Sequence, residues 1–304
     1  MHAEPPRYVD GLPRPGRTLV MGVLNVTPDS FSDGGRYLDP AAAVAHGREL
    51  VADGADLVDV GGESTRPGAT RPSTEEELAR VLPVVTALAG DGVPVSVDTM
   101  RAAVAAAAVE AGAVLVNDVS GGLADAEMLP TVAGLGAAYV LMHWRAHSQD
   151  MQRFTDYGDV VSDVSAELRD RLDAAARAGL RPELVAVDPG IGFSKTADQN
   201  WDVLAGMERL HDLGHPVLIA TSRKRFLGAL LADAAGELRP PHLRDDGTTA
   251  TSALAAAAGA WCIRTHAVRP TLDAVKVAHR WAVGAGSGPA PGPGSTERTG
   301  AVRG

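Results

Sequence analysis

The sequence is poor in cysteine, aromatic residues and positive charge, and each shortage excludes a class of protein. Its one cysteine, Cys262, excludes an internal disulfide and a zinc site built from several cysteines. Because Cys262 lies in the apolar run Ala260–Ile263, we expect a small buried side chain there. The 28 Lys and Arg residues against 38 Asp and Glu leave a net charge of −10. This balance argues against a nucleic-acid partner, since nucleic-acid binding needs a basic surface.

Long apolar runs and the short motifs of several enzyme classes are also missing. No apolar run approaches the roughly 18 residues of a membrane-spanning helix, and residues 7–17 are rich in Pro and Gly, unlike a signal peptide. A cytoplasmic protein with no membrane partner is therefore predicted. No Gly-x-Gly-x-x-Gly follows the first apolar run and no Ser–His–Asp arrangement is visible. A dinucleotide-binding protein and a covalent hydrolase are both disfavoured.

A repeated pattern of apolar run, polar turn and Ala-rich amphipathic stretch organises the chain. The apolar runs predict eight strands: Leu19–Leu24, Leu57–Val60, Val93–Val97, Val114–Val116, Ala138–Met142, Leu184–Val187, Val217–Ala220 and Trp261–Ile263. The stretches between them predict helices that include Ala41–Ala52, Glu75–Ala89, Ala102–Ala111, Val160–Ala178 and Thr248–Ala258. Strands alternating with helices indicate a parallel sheet, and eight such units favour an α/β fold of the (β/α)8 TIM barrel type, which takes about 250 residues.

The barrel is predicted to be one domain over residues 18–283. Residues 1–17 are expected to form an N-terminal tail. Residues 284–304 are dominated by Gly, Pro, Ser, Ala and Arg. Such a segment cannot bury enough surface to offset its ordering entropy, so a disordered C-terminal tail is expected there.

Polar side chains cluster at or just after the ends of the predicted strands. In a parallel barrel these positions converge on the carboxyl face, where barrel enzymes hold their active sites. Each residue alone also suits a helix cap or turn, and Asp98 with Thr99 could cap the helix that follows. The set also holds Arg, Lys and His, which capping does not need, so we predict a shared site. Its members are Asn25, the stretch Asp59–Arg66, Asp98, Asn117, Asp118, His143, Asp188, the stretch Ser222–Lys224, Arg264 and His266.

The residue types in this set suit a heterocycle and an anion. Two carboxylates and an amide (Asp98, Asp188 and Asn117) can pair with the N–H donors and acceptors along a flat heterocycle. Lys224 can reach its opposite edge. Arg264 can stack on a ring or bind a phosphate, and together with His266 and Asn25 it predicts an anion pocket. Two stretches, 27–35 and 63–69, consist largely of turn formers and are predicted loops.

Seven segments resemble the dihydropteroate synthases. They occur in the order and spacing of that family over about residues 19–283: Met21–Gly35, Asp59–Gly68, Ser96–Thr99, Asn117–Gly122, Asp188–Phe193, Ser222–Phe226 and Arg264–His266. The resemblance implies an enzyme of folate biosynthesis that transfers the pterin-methyl group. (7,8-Dihydropterin-6-yl)methyl diphosphate and 4-aminobenzoate would be its small-molecule substrates, and 7,8-dihydropteroate and diphosphate its products. It also implies a barrel, a sulfonamide target and a homodimer formed through helices near the C-terminal part of the barrel.

The resemblance also implies a role for each matching residue. The pterin diphosphate would be bound by Thr65, Asp98, Asn117, Met142, Asp188, Lys224, Arg264 and His266. The 4-aminobenzoate would be bound by Phe31, Asp33, Arg66, Pro67, Phe193 and Ser222. Magnesium (Mg²⁺) would be the cofactor, with Asn25 as its ligand. Asp98, Lys224, Arg264 and His266 would be the catalytic residues. Asp98 would stabilise the cation left on the pterin after diphosphate departs, so no protein nucleophile is needed.

One residue departs from the family pattern, and three other functions compete. Many bacterial relatives have Ser after the lysine of the Ser-Arg-Lys segment, whereas this chain has Arg225, as some actinobacterial members do. The alternatives are a pterin-binding methyltransferase domain serving corrinoid proteins, a non-catalytic pterin-binding paralogue and a metal-dependent hydrolase. The first needs no diphosphate site, and the second should lack Asp33, Arg66 or Lys224. The third should have two or three His ligands, of which only His143 and His266 stand at strand ends.

Overall fold

Eight parallel strands form the frame of the molecule. The computed structural model describes residues 7–27, 39–63, 71–147 and 150–284. The strands are β1 Leu19–Asn25, β2 Leu57–Gly61, β3 Val95–Asp98, β4 Leu115–Asp118, β5 Ala138–Met142, β6 Val185–Asp188, β7 Leu218–Ile219 and β8 Cys262–Thr265. They pair in the order β6-β5-β4-β3-β2-β1-β8-β7. The isolated parallel bridge Val187–Val217 links β6 to β7, where the Val187 amide donates to the Pro216 carbonyl at 2.8 Å. This bridge brings the two outer strands together, and the predicted (β/α)8 barrel is confirmed.

Ten helices connect the strands within the described ranges. They are α1 Pro40–Ala52, α2 Thr74–Gly90, α3 Ala102–Glu110, α4 Met128–Leu135, α5 Val160–Arg177, α6 Ala197–Ala205, α7 Met207–His211, α8 Arg225–Leu230, α9 Asp245–Ala257 and α10 Val268–Val283. The five helices predicted by name differ from these bounds by at most three residues at either end. Ser73 and Glu76 form a capping box on α2, and Thr196 and Gln199 form one on α6. These boxes satisfy amides that have no partner inside the helix.

The strands alternate between a packed barrel interior and an outer layer. On β1, Leu19 and Met21 belong to an interior cluster that also holds Leu57, Leu115 and Val140 of other strands. Their neighbours Val20 and Leu24 pack in the larger cluster against the helices. This alternation follows from the two-residue period of a strand. It fills the amino half of the barrel with apolar side chains.

Residues 7–17 close the amino end of the barrel. Val9 is fully buried and Leu12 is 7% exposed, and both pack in the interior cluster. Arg17 forms an ion pair with Asp56, at 2.7 Å between Nη1 and Oδ2. The sequence predicts a tail over residues 1–17, but the described part of that segment belongs to the base of the barrel. Its apolar residues are too few, and too irregularly spaced, to be recognised without the surface that they cover. The predicted C-terminal tail lies outside the described residues from 285 onward.

Two expectations from the sequence concern membrane-spanning helices and the single cysteine. None of the helices in the described part of the chain is both long enough and apolar enough to cross a membrane. Cys262 is buried in the barrel interior, as the apolar run around it predicts.

Candidate active site

The carboxyl halves of the strands carry polar residues into the barrel. Asp59, Asp98, Asn117, Asp188 and Arg264 each lie two positions after a buried interior residue of the same strand, so the strand period turns them inward as well. The strand register then sets them side by side. Asp98 on β3 is paired with Asn117 on β4, and Asp188 on β6 is paired with Met142 on β5. The strand period and register therefore bring these polar side chains together at the carboxyl face, as the sequence predicts.

Arg264 joins two carboxylates across the barrel. Its Nε donates to Asp59 Oδ2 at 2.5 Å and its Nη2 donates to Asp98 Oδ2 at 2.7 Å. Asn117 Nδ2 also donates to Asp59 Oδ2, at 3.0 Å. Asp98 is therefore not a helix cap: α3 begins at Ala102, whose amide donates to Asp125 Oδ2 at 2.8 Å. The guanidinium thus holds Asp98 in a fixed position at the barrel mouth.

Asp59 is the residue of this group to which the sequence analysis assigns a place but no role. It is fully buried, and its Oδ2 accepts bonds from both Arg264 and Asn117. Its Oδ1 is buried without a partner among the described residues. The pattern could have identified it, because Asp59 stands two positions after the interior residue Leu57. Its partner Arg264 lies 205 residues away, a pairing that no local pattern reveals.

Burial draws the pKa values of the central groups toward neutrality. Burial raises the pKa of Asp98 from 3.8 to about 7, against the lowering effect of Arg264. Burial lowers the pKa of Lys224 from 10.5 to about 8, although Asp188 opposes the shift. The pKa of Asp188 is also raised by burial. The pKa of Arg264 is raised despite burial, because Asp59 and Asp98 favour its charged form. Groups of this kind are typical of active sites.

The loop after β6 carries Phe193 at the barrel mouth and binds Lys224, which follows β7. Asp188 Oδ1 accepts the Gly190 amide at 2.7 Å, and Lys224 Nζ donates to the Ile191 carbonyl. Lys224 Nζ lies 4.9 Å from the centre of the Phe193 ring. Gly192 has φ +82°, and a Cβ there would come within 2.8 Å of Lys224 Cδ. Glycine is needed here both for the backbone angle and for the close approach of the lysine.

An apolar wall stands beside these polar groups. Met142 is 2% exposed and packs with Met100 and Val119, and Phe193 and Trp144 pack against them. A flat ring entering the mouth would have this wall on one side and Asp98, Asn117 and Asp188 along its edge. The pocket therefore offers both the apolar surface and the hydrogen-bonding groups that a heterocycle requires.

Ser222 and His266 meet at the rim on the far side of the barrel. Ser222 Oγ lies 2.9 Å from His266 Nδ1, and the His266 amide donates to the same oxygen at 3.1 Å. Ser222 follows β7 and His266 follows β8, so the pair joins adjacent strand ends. Both residues lie at the carboxyl face, as the sequence predicts.

A family model described as pterin binding enzyme matches residues 21–266. A dihydropteroate synthase of Mycobacterium leprae (strain TN) is 54% identical over 263 residues, which are 86% of this chain and 93% of that relative. The chain belongs to the dihydropteroate synthase family. The resemblance seen in the seven sequence segments is confirmed, and with it the transferase class.

Two solved structures of Xanthomonas albilineans dihydropteroate synthase share the fold. One, with 4-aminobenzoic acid, has a TM-score of 0.78 and is 46% identical; the match covers 86% of this chain and 92% of that chain. The other, in complex with 7,8-dihydropteroate, has a TM-score of 0.75 and is 44% identical, with the same coverage of 86% and 92%.

The described structure brings together most of the residues to which membership in the dihydropteroate synthase family assigns roles. Asn25, Asp98, Asn117, Met142, Asp188, Phe193, Ser222, Lys224, Arg264 and His266 all lie at the carboxyl face of the barrel. The remaining five, Phe31, Asp33, Thr65, Arg66 and Pro67, lie outside the described residues. The individual roles stay predictions.

Two strand-end residues of the predicted shared site face away from the pocket of this dihydropteroate synthase family member. Asp118 follows Asn117 and therefore points outward, where it accepts Tyr139 Oη at 2.6 Å and Ser120 Oγ at 2.6 Å. His143 is 2% exposed and lies 2.9 Å from Glu167 on α5. The described ranges hold no group of three His, Cys, Asp or Glu residues able to bind a metal ion.

Proposed function

We propose that this protein condenses (7,8-dihydropterin-6-yl)methyl diphosphate with 4-aminobenzoate to give 7,8-dihydropteroate and diphosphate. The observation that carries the proposal is the cluster of buried Asp98, Asn117 and Asp188 with the partly buried Arg264, beside the wall formed by Met142. Membership in the dihydropteroate synthase family supplies the reaction. The geometry supplies the role of each group.

The pterin ring is bound at its edge by groups of complementary hydrogen-bonding type. The carboxylates of Asp98 and Asp188 accept from ring N–H and amino groups, while Asn117 offers both a donor and an acceptor. The ammonium of Lys224 donates to the ring carbonyl or a ring nitrogen. These roles need Asp98 ionised and Lys224 protonated, and the pKa values of about 7 and about 8 allow both near neutral pH.

The reaction proceeds by departure of the diphosphate before attack of the amine. The bond between the pterin methylene carbon and the diphosphate oxygen breaks, and its electron pair leaves with the diphosphate. Positive charge left on the carbon is delocalised into the ring nitrogen. The amine of 4-aminobenzoate then forms the new carbon–nitrogen bond and releases a proton to solvent.

Asp98 stabilises the cation and Arg264 determines where Asp98 lies. The carboxylate is held by a 2.7 Å bond from Arg264 and is only 7% exposed, so little water screens its charge. A preorganised charge in a dry pocket stabilises a developing opposite charge more than it could in water. The same Arg264, together with His266 at the rim, faces the side from which the diphosphate leaves.

The residues present fit a magnesium ion that arrives with the diphosphate. Asn25 Oδ1 and Asp98 Oδ2 flank Gly61, each 3.7 Å from the position that a Cβ on that glycine would occupy. The described ranges provide no cluster of acidic residues for a dedicated metal site. Mg²⁺ commonly takes few protein ligands and completes its shell with phosphate oxygens and water. Bound in this way, through Asn25, it would neutralise charge on the departing diphosphate.

The acceptor site is proposed to lie between Phe193, Ser222 and the two loops that hold Phe31, Asp33, Arg66 and Pro67. Phe193 offers a ring face for the aminobenzoate ring, and Ser222 lies at the rim where a carboxylate can be bound. Arg225 is exposed at the first position of α8, next to Lys224.

The decisive experiment supplies both substrates and magnesium and follows both products. Dihydropteroate should form only when the amine is present, and with both substrates it should appear in an amount equal to the diphosphate released. Lys276→Met, an exposed change on α10, serves as a control with native activity. Absence of dihydropteroate with both substrates and magnesium present would refute the proposal. Methyl transfer to a corrinoid protein instead would favour the pterin-binding methyltransferase.

A homodimer is also proposed. The family resemblance implies one formed near the C-terminal part of the barrel, and the helices there expose Leu254 on α9 and Val277 and Trp281 on α10. Val277 and Trp281 are four residues apart and share one helix face. Trp281→Glu should convert a dimer to a monomer in sedimentation equilibrium, and a monomeric unmodified protein would contradict the proposal. The cytoplasmic location stays a prediction.

A further inference from the structure

A buried lysine outside the predicted site holds the loop after β6. Lys195 is 3% exposed, and its Nζ lies within hydrogen-bond distance of three acceptors. It donates to the Gly190 carbonyl at 3.2 Å, to the Phe193 carbonyl at 3.2 Å and to His143 Nδ1 at 3.1 Å. None of the ion pairs found in the described ranges includes Lys195. An ammonium group at this depth is costly unless its hydrogen bonds are satisfied, and here three acceptors match its three donors.

The bond from Lys195 continues through His143 to the protein surface. Because His143 Nδ1 accepts from the lysine, Nε2 carries the ring proton and donates to Glu167 Oε2 at 2.9 Å. Burial lowers the pKa of His143 to about 4, so the neutral ring is the form present at neutral pH. Hydrogen bonds from His143 and Arg145 outweigh burial and lower the pKa of Glu167 to about 2. This series of hydrogen bonds therefore ends at the Glu167 carboxylate, which also accepts a hydrogen bond from Arg145.

The loop that Lys195 holds is strained and carries groups of the pterin site. Ser194 has φ +47°, which a residue with a side chain rarely adopts. Its carbonyl accepts Tyr157 Oη at 2.9 Å, and its own hydroxyl is buried without a partner in the described ranges. Side chains thus bind the carbonyls of residues 190, 191, 193 and 194, with Lys224 bound at residue 191. Backbone strain persists where surrounding contacts determine the conformation, commonly near functional sites.

Removing the lysine would free the loop on the side away from the substrate. Gly190, whose amide donates to Asp188 at 2.7 Å, would lose the bond at its carbonyl. Phe193 would lose its backbone anchor while its ring still faces Lys224. Two residues of the predicted pterin site, Asp188 and Lys224, therefore depend on a loop that Lys195 restrains.

We propose that Lys195 is a positioning residue for pterin binding, acting through the loop 189–194 and anchored by His143 and Glu167. This inference rests on the proposed function, since it assigns the pterin to that pocket. Lys195 is not among the residues assigned to contact with the substrates. Its charge also favours ionised Asp188, which faces the pocket.

The test compares Lys195→Met with Lys276→Met, the same change at an exposed lysine on α10. The dissociation constant of 6-hydroxymethyl-7,8-dihydropterin is measured by calorimetry, and kcat/KM is measured for its diphosphate. Lys195→Met should weaken pterin binding and lower kcat/KM by roughly tenfold, because small displacements of binding groups have large effects. Lys195→Gln, which keeps two donors, should recover part of the loss. Lys276→Met should leave both quantities unchanged.

The pH profile separates positioning from a role in folding alone. Burial lowers the pKa of Lys195 to about 7, among the surrounding charged groups of Asp188, Lys224, Arg145 and Glu167. Activity should therefore begin to fall above about pH 7 as the ammonium loses its proton and one donor. In Lys195→Met this early fall should disappear, leaving the loss above about pH 8 that belongs to Lys224. A lysine that only stabilised the fold would change the melting temperature and leave the profile as it was.

Native pterin affinity and native kcat/KM in Lys195→Met would overturn the inference, whatever happens to its stability. If that variant fails to fold, Glu167→Gln provides the test, since this side chain is 38% exposed and the change keeps an acceptor for His143. A roughly threefold loss of pterin affinity is expected, and no loss would again refute the inference. If the unmodified protein binds no pterin, the proposed function itself fails, which is a distinguishable result.

Discussion

The two ends of the barrel are built from the same eight strands but contain different kinds of residue. At the amino end, Val9 and Leu12 cover an interior of fully buried apolar side chains that includes Leu115. At the carboxyl end, the next inward positions of those strands hold Asp98, Asn117 and other polar groups. Along one strand, an inward residue that packs in the core and an inward residue of the candidate site are thus only two positions apart. We therefore expect that stability and function can be changed independently in this fold.

The largest effect on stability is expected from a cavity at the amino end. Leu115→Ala removes a fully buried side chain from the barrel interior. It should lower the free energy of unfolding by about 2–5 kcal/mol, with kcat unchanged well below the melting temperature. Urea denaturation and steady-state kinetics measure the two. A large fall in kcat with an intact fold would show that the two ends are not independent.

The opposite result is expected at the carboxyl end. Asp98→Asn removes the charge that faces the pterin cation while keeping the size of the side chain, so kcat should fall by roughly 100-fold. Stability should be kept, because burial already makes the ionised carboxylate unfavourable, with a pKa of about 7. Native turnover in a folded variant would remove Asp98 from the mechanism. Asp125→Asn, in the loop between β4 and α4, where the carboxylate accepts the Ala102 amide, provides a control outside the pocket.

A smaller effect on kcat/KM is expected from Asp59, the buried carboxylate that binds Arg264. Asp59→Asn removes the negative charge that binds Arg264 but keeps an amide of similar shape, so Arg264 and Asp98 should lose part of their alignment. We expect kcat/KM to fall by roughly tenfold, about 1.4 kcal/mol, with a modest change in stability. Denaturation and kinetics on the same sample distinguish the two contributions. An unchanged kcat/KM would make Asp59 part of the packing half of the barrel.

The smallest effect is expected in the dependence of kcat/KM on pH for the unmodified protein. Asp98 must be ionised and its pKa is raised by burial to about 7, so kcat/KM should rise as the pH increases through about 7. Lys224 must be protonated and its pKa is lowered by burial to about 8, so kcat/KM should fall as the pH increases through about 8. The maximum therefore lies near neutral pH, with the fall from Lys195 adding to the alkaline side. A profile flat from pH 6 to 9 would contradict both assignments.

The barrel and half of the site could be predicted because both follow from periodicity. The alternation of strand and helix patterns predicted the eight strands, and helices such as Val160–Arg177 lie within one residue of their predicted ends. Residues at strand ends could be grouped because parallel strands deliver them to one face. The roles of Phe31, Asp33, Thr65, Arg66 and Pro67 came from the resemblance alone, and these residues lie outside the described structure.

Other features had no local pattern to reveal them. Asp118 and His143 were grouped with the site because they stand at strand ends, but one points outward and the other bonds to Glu167 behind the pocket. Lys195 follows the segment Asp188–Phe193, which resembles the family. Nothing in the sequence around Lys195 indicates that its ammonium group is buried. Its acceptor His143 comes 52 residues earlier, and only folding brings the two together.

The sequence by itself determined which residues face into the barrel, because strand period and helix amphipathicity are local properties of the chain. It also determined the family, through seven segments in register. Only the tertiary structure decided which inward residues touch: Arg264 binds Asp59 and Asp98, and residues 7–17 close the base. The physical reason is that burial determines both the contact partners and the pKa values of the charged groups. Charges distant in sequence acquire their partners and their pKa values only when the closed barrel removes water from between them.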